Sequence, residues 1–267
     1  MQPLPPILTT EICQIMFETL GIAGKFSFIL LSISMTLAVT AGLIFLFLWG
    51  KRTLSNLFFG FLLILMGVTC LHHFCILLDV YIEQPKWLFL PIYYTLWFGP
   101  FLFFAIKIRL YPKYKLVCSD LKHAILPFGQ LIYFLILFYS SIAYRESLGR
   151  NFFSPFYGAM EMVLYIGTFY AYLYSSYRYV RYKEAHLRNN AEGKTKKEIL
   201  FLKRMLKVLL VLFWINSGYI ISDFLVYQVF DMNLHTMMRG FTRFGDISFG
   251  LMVFWMGING WLMIFRR

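Results

Sequence analysis

Long apolar stretches alternate with short polar or basic breaks along nearly the whole chain. Seven of them match the roughly 20 residues that a helix needs to cross a bilayer. They run over Phe26–Trp49, Leu57–Asp79, Leu88–Arg109, His123–Ala143, Tyr157–Tyr177, Leu206–Val229 and Asp246–Phe265. The expected fold is therefore all-α, an integral membrane bundle of seven transmembrane helices over residues 26–267. The stretch Leu96–Pro112 carries Gly99-Pro100 and ends in Lys107 and Arg109. A proline inside a membrane helix removes a backbone donor, and the freed carbonyl must find a partner on a neighbour. Gly99 and Pro100 are the candidate hinge, and the other spans are expected to pack around this one.

Residues 1–25 read differently. Pro3, Pro5 and Pro6 keep the start extended, and Glu11 and Glu18 replace the basic region of a signal peptide. Thr9 or Thr10 can cap a short helix with Ile12, Ile15, Met16 and Leu20 on one side, ended by Gly21. This segment is expected to lie in the outer membrane–water interface.

Composition agrees with the pattern. Of 267 residues 60% are hydrophobic and only 14% charged, which no ordinary soluble domain shows and which leaves no soluble domain over. The net charge of +12 is first a matter of orientation. Nineteen of the 25 Lys and Arg fall in one set of alternate connections and six in the other. That asymmetry puts the N-terminus outside and the C-terminus in the cytoplasm, as in a multi-pass protein of a bacterial inner membrane.

The longest connection, Arg178–Lys207, holds ten of those basic residues. The fifth span is expected to run on to Asn189-Asn190. Gly193 then breaks it, and Thr195 with Glu198 suits the start of a new helix. Arg181, Lys183, Lys194, Lys196 and Lys197 are the candidate surface for a cytoplasmic or membrane protein partner, although a solvated basic loop at an anionic leaflet looks the same. Cys13, Cys70, Cys75 and Cys118 show no disulfide spacing.

Ionisable residues inside spans are functional candidates because lipid makes them expensive. In the outward-running second span His72 and His73 lie near the outer end and Asp79 at the boundary. Glu161 is one turn into the fifth span, Asp223 lies in the outer part of the sixth, and Asp246 opens the seventh. His235, Arg239 and Arg243 fall in the last outer loop. These charges lie in the outer half. They fit register-fixing salt bridges, Arg239 or Arg243 with Asp246 or Asp223, or a ligand pocket lined by His72, His73, Glu161, Asp223, Asp246 and Arg239.

Several chemistries lack their residues. Adjacent histidines point about 100° apart on a helix and do not chelate, and the histidine clusters of a membrane hydroxylase are missing. No metal, haem or other cofactor is expected. No nucleophile elbow, zinc-protease or phosphate-loop motif occurs, so no enzyme is expected. The seventh span has no lysine for retinal. A G-protein-coupled receptor would share the topology, but the third span ends in KIRLYP and the seventh lacks N-P-x-x-Y.

One likeness extends further. The run Leu96–Leu131, with Gly99-Pro100, Lys107, Tyr111-Pro112, Asp120, His123 and Pro127, resembles the membrane half of AraC-type transcriptional regulators. Asn56, His72 or His73, Trp255 and Gly257 add looser matches. In that group seven spans precede a cytoplasmic helix-turn-helix domain, whereas this sequence ends at Phe265-Arg266-Arg267. The resemblance implies a sensor-like bundle, and DNA binding does not carry over. The expectation is a non-enzymatic membrane sensor or accessory subunit that engages a ligand or partner outside and relays to basic inner loops. A small-solute transporter and a structural subunit of an envelope complex are the alternatives.

Overall fold

The structure, a computed structural model, describes residues 20–48, 53–148, 157–186, 193–230 and 239–265. Among these residues the chain is helical with no strand. The principal helices are α1 (Ile22–Leu43, continued by a π-helical turn Ile44–Leu48), α2 (Leu54–Leu77), α3 (Thr95–Leu110), α4 (Ile125–Phe138), α5 (Tyr157–His186), α6 (Gly193–Phe230) and α7 (Arg239–Phe265). Five helical stretches are long and apolar enough to cross a membrane: Ile22–Phe47, Leu54–Leu77, Cys118–Phe138, Thr195–Val226 and Arg243–Phe265. A helix pairs its own backbone polar groups without water, and five helices of this length and apolarity mark a multi-pass membrane protein. Of the interfacial segment expected over residues 1–25, residues 1–19 lie outside the described residues, as does His235, and α1 already begins at Ile22.

Six helices close a ring, each packing on the next in the order α1, α2, α3, α5, α6, α7 and back to α1, while α4 stands outside against α3. Small residues set the tightest joints, since lipid supplies no hydrophobic force between helices and close backbone approach does. On α1, Ser27, Ser34, Ala38, Ala41 and Gly42 are buried at helical spacing. A Cβ on Gly42 would lie 2.8 Å from the Gly60 carbonyl oxygen of α2, so any side chain there would force α1 and α2 apart. Across the joint with α7, the Ser34 hydroxyl donates to the Gly250 carbonyl at 2.9 Å.

The third span differs from its expected form. Leu88–Tyr94 is not helical, and α3 starts only at Thr95. Its 16 residues make a rod of about 24 Å, short of the ~30 Å hydrocarbon core. The N-terminal end of α3 meets polar groups from its neighbours. Gln130 of α4 accepts from the Leu96 N–H at 3.1 Å and donates to the Thr95 hydroxyl at 3.1 Å. Thr69 of α2 accepts from the Tyr94 N–H at 3.4 Å. These partners satisfy backbone donors that a helix start leaves open. Gly99-Pro100 therefore sits in the second turn of α3, where the ring of Pro100 costs one bond near a helix start. Twelve of the 16 residues of α3 are buried, and its C-terminal half is tied by Ser55 of α2, whose hydroxyl donates to the Ala105 carbonyl at 2.7 Å.

Three further boundaries moved. α2 ends at Leu77 because Asp79 adopts a left-handed conformation, φ 52°, which stops a helix much as a glycine would. The stretch expected over His123–Ala143 is a 3-10 segment Cys118–Ala124, then α4, then a separate helix Ile142–Leu148. α6 already begins at Gly193, so Thr195 lies inside its first turn and does not cap it.

Candidate functional site

The polar residues expected at the outer face separate into two groups because His72 and His73 leave α2 about 100° apart. His73 turns to α7, where its Nδ1 donates to Asp246 Oδ1 at 3.0 Å. The second carboxylate oxygen of Asp246 receives Arg243 Nη1 at 3.5 Å, one turn earlier on the same helix. The carboxylate side chain is 6% exposed, and the imidazole and guanidinium are 18% and 17% exposed. Both oxygens of a nearly buried anion thus have cationic or donor partners, which is what its burial requires. The His73 ring is fixed further by stacking on Phe249 at 4.5 Å, and Phe249 in turn stacks on Phe98 of α3 at 6.3 Å.

His72 turns the other way, towards the connection between α2 and α3. Its Nδ1 accepts from the Tyr81 hydroxyl at 2.9 Å, and its ring lies 5.0 Å from that of Tyr93. Burial, reinforced by Cys75 beside it, pushes the Tyr81 phenol above its usual value, so the hydroxyl stays protonated and donates. Asp223 is half-buried on α6. Glu161 and Arg239 stand on α5 and α7, and their side chains lie outside the described residues. Of the six expected ligand-pocket residues the structure joins His73 with Asp246 and sends His72 elsewhere. Arg239 and Arg243 belong to the first turns of α7 and not to a loop, since α7 begins seven residues before Asp246. That helical register is what sets Arg243 beside the carboxylate at i, i+3. Deeper between α6 and α7, Asn216 Nδ2 donates to Ser248 Oγ at 3.0 Å.

A residue that the sequence pattern left unremarked closes the loops on this side. Arg145, 6% exposed, donates through Nη1 to the carbonyls of Lys86 at 2.9 Å and Leu88 at 3.1 Å. Its guanidinium also lies over the Phe138 ring at 5.4 Å. An arginine in a polar connection carries no signal of burial, so only the folded loops reveal the clamp.

At the opposite end α3 meets α6 and α7. Arg109 Nε donates to Glu198 Oε1 at 2.6 Å, and its Nη1 lies 3.5 Å from Met263 Sδ. Lys203 of α6 pairs with Glu184 of α5 at 2.7 Å. Residues of the run Leu96–Leu131 also make contacts here. Lys107 Nζ lies 3.7 Å over the Tyr114 ring, and the Tyr114 hydroxyl donates to Asp120 Oδ2 at 2.6 Å. The Tyr172 hydroxyl of α5 donates to His123 Nδ1 at 2.6 Å. Among the docking candidates Arg181, Lys196 and Lys197 are exposed, and Lys183 is half-buried with Nζ 5.0 Å over the Tyr111 ring. The Lys194 side chain lies outside the described residues.

Chemically, the cluster at Asp246 can exchange partners at one carboxylate, whose two oxygens are held by His73 and Arg243. Among the described residues no three His, Cys, Asp or Glu side chains gather as metal ligands would. No protein-family model, curated protein or solved structure matches the chain.

Proposed function

We propose that the chain is a non-enzymatic sensor or accessory subunit that crosses a bacterial cytoplasmic membrane seven times, N-terminus out and C-terminus in. The observation that carries this reading is the buried Asp246 carboxylate shared between His73 of α2 and Arg243 of α7. A ligand or partner protein that offers its own cation or anion here competes with an internal pair, and so changes how α2 holds α7. α7 is a single helix of 27 residues, about 40 Å long, and its far end places Met263 against Arg109 of α3. It is a rigid connection from the outer cluster to the pair Arg109–Glu198 and the basic inner connection. Gly99-Pro100 would let the outer part of α3 yield to the same movement. The likeness of Leu96–Leu131 to the membrane half of AraC-type regulators points the same way.

The test is complementation of a deletion strain with Asp246→Asn, Asp223→Asn and Pro100→Ala, each checked for wild-type amounts in the membrane. Loss of rescue by Asp246→Asn with the protein still inserted is the expected result. Full rescue by all three variants overturns the reading. Uptake of solute by reconstituted vesicles would replace the sensor with a transporter, since a sensor moves none. Cysteines placed at Ser147 and at Lys197 must label from opposite sides of the membrane, or the orientation is wrong.

A further inference from the structure

On the outer wall of the ring, α5 and α6 leave a groove of about 200 Å³ between them. One side of it is tyrosine, with Tyr170, Tyr174 and Tyr177 at i, i+4 and i+7 of α5, and the other is Leu206, Lys207 and Leu210 of α6. At its deep end the Tyr170 ring meets that of Trp214 edge-on at 5.8 Å. The groove is therefore aromatic and aliphatic along its length and cationic at one end.

The charge at that end is unbalanced. Lys207 lines the groove, and Arg178, one turn beyond Tyr174, lies 5.9 Å over the Tyr174 ring. Among the described residues neither has a carboxylate partner. The two described acids of the adjoining stretch are already engaged, Glu184 with Lys203 and Glu198 with Arg109. From Tyr170 to Arg178 the helix rises about 12 Å, more than the about 5–8 Å thickness of one interfacial layer, so the groove is long enough to reach from acyl chain to headgroup. Aromatic rings with a basic end at that depth are what a phospholipid meets at an interface.

We propose that this groove is a binding site for an anionic glycerophospholipid. Its phosphate sits between Lys207 and Arg178, and one acyl chain lies against Tyr170, Tyr174 and Leu210. The net negative headgroup is the occupant that two cations without a carboxylate partner select over a zwitterionic one, whose own cation cancels part of the attraction. The proposal rests on the seven-span reading, in which α5 crosses the bilayer beside α6.

The experiment is native mass spectrometry of the full chain, delipidated in mild detergent and offered phosphatidylglycerol and phosphatidylcholine of equal chain length. One phosphatidylglycerol per chain is expected to persist, preferred over phosphatidylcholine. Arg178→Gln and Lys207→Gln should each cut that preference about fivefold. Lys207→Arg, which keeps the charge, should retain it, and Lys196→Gln with Lys197→Gln, away from the groove, should leave it unchanged. Equal retention of both lipids by the wild type, or an equal loss in the Lys196/Lys197 control, overturns the site. Lys207→Arg remains decisive even if a charge-removing variant fails to fold, because loss of preference there would also contradict the proposal. Labelling of the cysteines at Ser147 and Lys197 is read separately. A wrong orientation with intact lipid preference overturns the topology and leaves the groove standing.

Discussion

Gly99 faces α5 so closely that one methyl group should reveal the packing of α3. In Gly99→Ala the new Cβ would lie 2.5 Å from Tyr172 Cδ2 and 3.1 Å from Cγ. The ring cannot simply swing aside. Its hydroxyl is held by His123 at 2.6 Å, and its face meets the Phe103 ring at 5.8 Å. Overpacking of this kind costs about 1–3 kcal/mol. Releasing the Tyr172–His123 bond adds about 1 kcal/mol. Against these, alanine is the better helix former by about 1 kcal/mol. The net expectation is a loss of about 1–3 kcal/mol, from the balance of those terms. It is measured by reversible unfolding of the purified protein in mixed micelles, followed by circular dichroism. The loss should shrink in a Tyr172→Ala background, where the ring is gone and only the Cβ at position 172 stays near the new methyl group, at 3.2 Å. A neutral or stabilising Gly99→Ala in the wild-type background would refute the close approach. So would equal effects in the two backgrounds.

Three other variants test the polar joints by the same unfolding assay. Asp246→Ala leaves His73 and Arg243 facing each other without their anion and should cost about 3–5 kcal/mol, while a loss under 1 kcal/mol would mean that the cluster is solvated. Gln130→Leu strips the start of α3 of its acceptor within the bilayer and should cost about 1–3 kcal/mol; an unchanged midpoint would show that another group takes over. Glu198→Gln should cost no more than about 1 kcal/mol, because the carboxylate is 43% exposed and an exposed pair is weak. A larger loss would place the pair in a drier setting.

The end of its helix at which each polar residue sits is legible from the sequence, because position along a helix of known rise fixes distance along its axis. His72, His73, Asp223 and Asp246 were accordingly grouped at one end. Which of them meet was not legible. The azimuth of a side chain matters only once a neighbour is chosen, and the packing of α2 on α7 selects His73 and leaves His72 to Tyr81. The same holds for Arg243. As a loop residue it would have been one of several possible partners, and the early start of α7 places it one turn from Asp246. Gln130 offered only a polar side chain in an apolar run, and its role depends on the short α3 beginning beside it.

Hydropathy by itself determined that the chain is helical and built for a membrane, since a run of apolar residues of that length has few other ways to satisfy its backbone. The Lys and Arg count set an expected orientation. Tertiary structure alone decided that α4 stands outside the ring, that Leu88–Tyr94 does not continue α3, and that Arg145 is buried under the loops. Apolar runs report how strongly a segment prefers lipid to water. They say nothing about which neighbour it prefers, because that choice turns on small residues such as Gly42, Gly60 and Gly99 and on single hydrogen bonds between helices.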